Sequence, residues 1–356
     1  MAIKNNISSS EISVIVQGPI HKQGTKKTLK SIRKYLPNAE IILSTWENSN
    51  VDGLDFNILV LNKDPGVTIF ENKENKTNSI NRIIISSKNG IENATRKYVL
   101  RIRSDLILKN ANILKLTDDF NVRDNKVSLF KQRIFAYDIF SIKYDCKNNV
   151  RQRMLFHISD WCYFGLKEDV LELFNLPLVL EPAFSRYFEN TEKQVDDIHK
   201  ERFWKMSPEQ YLTSENAKKI IKNFDFKNYL DITPENIEIS EKFIINNFRV
   251  FSEREWGIKT SKELYKNIMM FINSPFNYYS KLEQLEDYKK YCLKIVTKNK
   301  FERFPYNVKY YERLRKHFLY FIYSPFNKKV SELISTTFYL TKFLFVLTKE
   351  LLCKKK

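Results

Sequence analysis

Ile12-Ser-Val-Ile-Val-Gln-Gly-Pro-Ile20 begins as a β-branched apolar run and stops at a Gly-Pro step. Isoleucine and valine favour a pleated, buried strand, Gly18 lets backbone come close to a ligand, and Pro19 stiffens the exit. Behind it, residues Thr25 to Tyr35 set Leu29, Ile32 and then Leu36 at helical spacing, and Ala39-Glu-Ile-Ile-Leu-Ser-Thr45 returns to strand character. That is a βαβ opening. The alternation continues with a strand at Phe56-Asn-Ile-Leu-Val-Leu61, a helix from about Thr77 to Ala94 carrying Ile80, Ile83, Ile84 and Ile91, and a strand from Tyr98. Further strands are expected at Val127 to Phe135 and at Trp161-Cys-Tyr-Phe-Gly165, the latter ahead of a helix from Lys167 to Phe174. Such alternation implies an α/β fold, with an open, mostly parallel Rossmann-type sheet covered by helices on both faces. Ligands in such sheets bind at the carboxyl ends of the strands.

At 356 residues with 43% apolar content, the chain can bury one sizeable core and carry a smaller module. Seven glycines and ten prolines argue against a loop-rich sandwich or a solenoid. A formal charge of +18 predicts an anionic partner: nucleic acid, an acidic membrane surface, or phosphorylated and acidic-sugar substrates. Cys146, Cys162, Cys292 and Cys353 have neither C-x-x-C spacing nor nearby histidine clusters, so reduced thiols in a cytoplasm are expected rather than a zinc site or a disulfide framework. Met1-Ala-Ile-Lys-Asn-Asn lacks an apolar core, so no signal peptide is expected.

The pattern turns helical and basic after about Tyr211, which sets an expected division into residues 1–215 and a helical region of residues 216–356. Phe271-Ile-Asn-Ser-Pro-Phe-Asn277 recurs as Phe321-Ile-Tyr-Ser-Pro-Phe-Asn327, either a duplicated helix-stop device or a chance of composition. Val330 to Leu352 is apolar around most of its circumference but interrupted by Glu332, Lys342 and Lys349 and closed by Lys354 to Lys356. That suits a helix lying in a membrane interface better than one crossing it.

Unusual polar residues fall at the strand ends. Gln17-Gly18-Pro19 ends the first strand, and Ser44-Thr-Trp-Glu47 ends the second, placing the stacking ring of Trp46 and the carboxylate of Glu47 where a base or ribose would lie, though a half-buried surface tryptophan is the plain alternative. Asn81 and Arg82, in the first turns of the helix from Thr77, could reach a pyrophosphate, whereas Asn78 is read as an ordinary cap. In Tyr98-Val-Leu-Arg-Ile-Arg-Ser-Asp-Leu-Ile-Leu108 a polar step interrupts an apolar strand, with Arg103 and Asp105 two apart and so on one side of an extended chain. The pair suits a phosphate beside a metal ion or a sugar hydroxyl, or else a salt bridge with itself. His157-Ile-Ser-Asp160-Trp161 presents a carboxylate against aromatic walls that would raise its pKa towards a general base's range, with an Asp cap or a structural His–Asp pair as the alternative. Glu209, in the first turn of the helix opening at Pro208-Glu-Gln-Tyr211, is explained by the helix dipole alone, yet it could also close over a sugar.

Taken in order, Ile12 to Ile20, Leu36-Pro-Asn-Ala-Glu-Ile-Ile-Leu-Ser-Thr-Trp-Glu47, Asn81-Arg82, Arg101-Ile-Arg-Ser-Asp105, Ser159-Asp-Trp161 and Pro208-Glu-Gln-Tyr211 resemble the WavE family of lipopolysaccharide-synthesis proteins over about the first 215 residues. The resemblance implies a GT-A-like glycosyltransferase that takes a nucleotide-sugar donor and a lipopolysaccharide-core, capsule or other lipid-linked glycan acceptor, peripheral on the inner face of a bacterial inner membrane. In that broader fold class an Asp-x-Asp step holds Mn2+ or Mg2+ and the donor diphosphate. Here Arg103 replaces the first Asp, leaving Asp105 as the metal candidate and Arg103 as a phosphate-neutralising cation. Asp160 is the expected base, Glu209 its reserve, and Gln17, Gly18, Pro19, Trp46, Glu47, Asn81, Arg82, Arg103, Asp105, His157 and Trp161 the expected binding residues. Two rivals share parts of the pattern. A nucleic-acid-binding protein would explain the charge and aromatic content but has no recognisable module, so no nucleic-acid partner is expected. A nucleotidyltransferase or phosphotransferase would use the same sheet, but no G-x-x-x-x-G-K loop is present.

Overall fold

The computed structural model describes residues 7–68, 78–144, 154–189, 191, 203–260 and 279–295. The paired Phe-Ile-x-Ser-Pro-Phe-Asn segments, the apolar stretch from Val330 and the terminal lysines lie outside the described residues.

Strand β1 (Ile12–Gln17) is wholly buried and sits near the middle of a seven-stranded sheet, flanked by β2 (Glu40–Trp46) and β4 (Tyr98–Arg103), with β3 (Ile58–Asn62) outside β2. These four strands are mutually parallel, as the βαβ pattern dictates. Beyond β4 come β7 (Cys162–Leu166), β6 (Ile134–Tyr137) and β8 (Phe248–Phe251). Strand β7 runs antiparallel to both β4 and β6, while β6 and β8 are parallel to each other. The sheet is therefore mostly parallel with one reversed strand. The beginning of that reversed strand lies where its parallel neighbours end.

Helices cover both faces. On one, α1 (Gly24–Tyr35) buries Leu29 and Ile32 beside Val14, Val16, Ile41 and Leu100. On the other, α2 (Ile80–Glu92) and α3 (Lys167–Phe174) bury Ile80, Ile84, Ile91, Val170 and Leu173 against Ile15, Ile42 and Val99. Packing of α2 is close because its inner face is small: a Cβ added to Gly90 would stand 2.5 Å from Ile15 Cγ2 and 3.0 Å from Ser44 Cβ. Two later helices, α4 (Pro208–Lys218) and α5 (Pro234–Asn247), extend this second layer. Both begin with proline behind a Ser or Thr cap, at Ser207 and Thr233.

Two sequence expectations are corrected. The apolar stretch from Tyr98 to Leu108 is not one strand: β4 stops at Arg103, and β5 (Leu106–Leu108) pairs with β9 (Ile258–Thr260) in a separate two-stranded sheet. The strand expected from Val127 starts only at Ile134. Backbone groups before it are satisfied by side chains instead, Asn247 Oδ1 accepting from Leu129 N at 2.7 Å and Asp169 from Lys131 N at 2.7 Å. Finally, β8 carries the sheet past the expected boundary at residue 215, and the compact unit that holds it runs Met1–Val296. A short helix, α6 (Glu253–Trp256), follows β8, and α7 (Lys281–Asp287) closes the described unit. Among the described residues no helix is long and apolar enough to cross a membrane.

Candidate active site

The carboxyl ends of β1 and β4 and the start of β7 are laced together by backbone. Ser104 N donates to Gln17 O at 2.9 Å, Arg103 N to Trp161 O at 3.3 Å, and Ser104 Oγ to Pro19 O at 2.6 Å. Gly18 adopts φ +119°, a conformation that side chains resist, and its N–H donates to Ser44 O at 3.1 Å. The Gly-Pro exit expected to face a ligand thus also fixes the rim, leaving Pro19 exposed.

Asp160 stands at this rim, one residue before Trp161 and two before β7, and is 8% exposed. Burial is the main reason its pKa is pushed up to about 6, and the nearby charge of Glu209 adds to it, while Arg101, Arg103 and His157 pull it down. Glu209 lies in the first turn of α4, whose start is locked by a reciprocal Ser207–Gln210 cap. Gln210 also donates to Leu155 O at 3.1 Å, tying that turn to the segment carrying His157. His157 Nδ1 is 2.7 Å from Phe140 O, so that nitrogen carries a proton, and Nε2 lies 3.7 Å from Glu209 Oε2. Asp160, Glu209 and His157, separated in sequence, are therefore one cluster: two carboxylates close enough to feel each other and an imidazole oriented between chain segments. Such a cluster holds or takes a proton near neutral pH.

Beneath it lies Arg101, which the sequence reading assigned no role. Its guanidinium is fully buried, donating to Ser87 Oγ at 3.0 Å, Gln17 Oε1 at 2.5 Å and the Asp160 main-chain carbonyl. Burial lowers its pKa, with Asp160 the largest opposing influence. The available signal was a cation in the middle of an apolar strand, where a core offers no reason for one.

The remaining expected residues fall into three groups. Arg103 and Asp105 do meet, but bind each other bidentately at 3.1 and 2.8 Å, with the guanidinium 4.9 Å from the Trp161 ring centre. Both Asp105 oxygens are thereby occupied, and among the described residues no group of three His, Cys, Asp or Glu is arranged to hold a metal ion. Among the described residues, the donor set around Asp105 does not complete a Mn2+ or Mg2+ site. At the outer rim, Arg82 is held by Asp64 at 2.7 and 2.6 Å and lies 5.9 Å from the Trp46 ring centre, with Glu47 exposed beside it. Asp64 was missed because it sits in a polar loop without strand or helix signals; its arginine partner holds its carboxyl below the usual range. The third group is engaged by partners within the protein. Gln17 has both amide ends engaged, by Arg101 and by Ser86 Oγ at 2.6 Å, and Asn81 brackets the backbone of Val179 at 3.0 and 2.8 Å. Asn78 caps as expected, accepting from Ile80 N at 3.0 Å. Cys162 and Cys292 are buried free thiols.

No curated protein matches the chain. The family described as WavE lipopolysaccharide synthesis matches residues 12–319, from the first residue of β1 past the end of the described unit. That span takes in β8 and α7 as well as the rim, so the sheet and the cluster it assembles fall within a single matched region, and the chain belongs to the WavE lipopolysaccharide synthesis family.

Proposed function

We propose that this protein is a GT-A-like, nucleotide-sugar-dependent glycosyltransferase that acts on a lipopolysaccharide-core, capsule or other lipid-linked glycan acceptor at the inner face of the bacterial inner membrane. The observation that carries the reading is the convergence of Asp160, Glu209 and His157 at the carboxyl rim of the sheet, with Asp160 poised at about pH 6. In an inverting transfer Asp160 takes the proton of the acceptor hydroxyl as its oxygen bonds to the sugar's anomeric carbon. The bond from that carbon to the nucleotide's terminal phosphate breaks, and its electron pair leaves with the phosphate. Arg103, which binds Asp105 through Nε and Nη2, turns its Nη1 donors to the developing charge. Arg82 over Trp46, with Glu47 and Asp64, forms a polar and aromatic ledge suited to the nucleoside end. Glu209 keeps His157 oriented and raises the affinity of Asp160 for its proton. No step is routed through a cation, because both oxygens of Asp105 are held by Arg103.

The test is Asp160→Asn assayed for sugar transfer and, separately, for donor binding across a panel of nucleotide sugars. Transfer should fall about a hundredfold or more while donor affinity stays nearly unchanged. Retained turnover would remove Asp160 as the base, and lost donor binding would move it into the donor site.

A further inference from the structure

Three of the eight large apolar side chains exposed among the described residues lie on one short segment: Leu178 at 47%, Leu180 at 82% and Tyr187 at 44%. Pro177, Pro182 and Ala183 are exposed beside them. A floppy loop would fold such residues inward, but this one is braced. Asn81 holds both backbone groups of Val179, Tyr211 Oη donates to Pro177 O at 2.9 Å, and Glu181 accepts from Thr68 Oγ1 at 2.7 Å and Ser185 Oγ at 2.8 Å. Val179, between the two outward leucines, is buried at 7%. Alternation about a pinned Val179 forces Leu178 and Leu180 outward, and their exposure is built into the fold.

Cations flank the tip. Lys88 Nζ and Lys219 Nζ both reach Asn175, at 3.0 Å each, on the approach to the leucines. On the exit, Arg186 is present and Lys205 Nζ lies 5.6 Å from the Tyr187 ring centre. Among the described residues, the acids on or against this segment are Glu181, which accepts from Thr68 and Ser185, Glu172 at 2.6 Å from Lys219, and Glu189 at 3.3 Å from Arg186. An apolar tip with a tyrosine and long cationic side chains around it, on a chain of charge +18, has the chemistry of a surface that meets anionic lipid.

We infer that the 177–187 loop is a membrane-contact surface that places Leu178 and Leu180 at the headgroup–acyl boundary of an anionic bilayer. Tyr211, one of its braces, stands two residues after Glu209 on α4, so the bilayer would lie alongside the helix that carries the candidate site. Only that orientation rests on the glycosyltransferase reading; lipid binding does not.

Flotation of the full chain with vesicles of phosphatidylethanolamine and phosphatidylglycerol tests the inference. L178D/L180D, whose changes point to solvent, should keep the wild-type circular dichroism spectrum and lose about tenfold or more of vesicle partitioning. L180W should show a blue shift in emission over the wild-type background when vesicles are added. Flotation of the double variant equal to wild type, or no shift for L180W, overturns the inference. So does a change of oligomeric state in the double variant with flotation intact, which would make the surface a contact between copies. Asp160→Asn should float like wild type, so a failure of the catalytic reading leaves this result unaffected.

Discussion

Arg101 holds Asp160 by its main-chain carbonyl and not by its carboxylate. The cation thus fixes where Asp160 stands and biases its charge without occupying the oxygens that would accept a proton. Its other donors go to Gln17 and Ser87, neutral groups on β1 and α2, so one buried guanidinium ties the sheet's centre to the rim.

Transfer activity should fall as pH drops through about 6, where Asp160 takes up its proton. Arg101 favours the ionised form, so Arg101→Gln should move this acidic limb to higher pH, and Arg101→Lys should move it less. A pH–rate profile of kcat/KM for the three proteins reads the shift, and an unmoved limb in Arg101→Gln would show that the group titrating is elsewhere.

Asp160→Asn should make the fold more stable at neutral pH. The native pKa of about 6 lies above the ordinary carboxylate value of 3.8, so the native state favours the proton. That stabilisation is fully present below the ordinary value and is lost as pH rises through 6, leaving a buried charge as a cost. The variant should gain up to about 3 kcal/mol at pH 8 and almost nothing at pH 4, visible as a pH-dependent difference in Tm.

Asn81→Ala should weaken the fold by about 1–2 kcal/mol and expose the segment around Val179 to protease, because two buried-side hydrogen bonds to one residue are lost together. Donor affinity measured on the folded variant should be close to wild type. Wild-type stability with weakened donor binding would instead return Asn81 to the ligand.

Gly90→Ala should cost about 1–3 kcal/mol in chemical denaturation despite alanine's better helix propensity, because the new methyl would meet Ile15 and Ser44 on the sheet. A stabilised variant would mean that α2 can ride outward from the sheet freely.

The N-terminal half of the sheet was legible because its signals are local. Expected and observed bounds of the first helix, of β2 and of α3 agree within a residue or so, each having apolar periodicity and a clear stop. Strand β8 was not legible: Phe248-Arg-Val-Phe follows α5 directly, with no turn residue, and buries Arg249 against Asp118 and Asp119, a pairing that single-sequence reading cannot supply. At the site, Asp160 could be picked out from its aromatic neighbours, and Glu209 from its place on α4. Their meeting could not, since it depends on the reversed direction of β7. The protein partners of Gln17 and Asn81 were not legible for a related reason: an amide at a strand or helix end suits a ligand and a protein partner equally well, and those partners come from distant segments.

The reversed strand also dictates an order of assembly on the ribosome. Strands β1, β2, β3 and β4 and the helices among them are made first and need nothing later to pair with one another. Until β7 emerges, the far edge of β4 carries unmatched backbone groups, exposed for some seconds at a synthesis rate of about 5–20 residues per second. The nascent half-sheet is then most open to the wrong partner, and a chaperone that shields this edge would raise the yield of the whole protein.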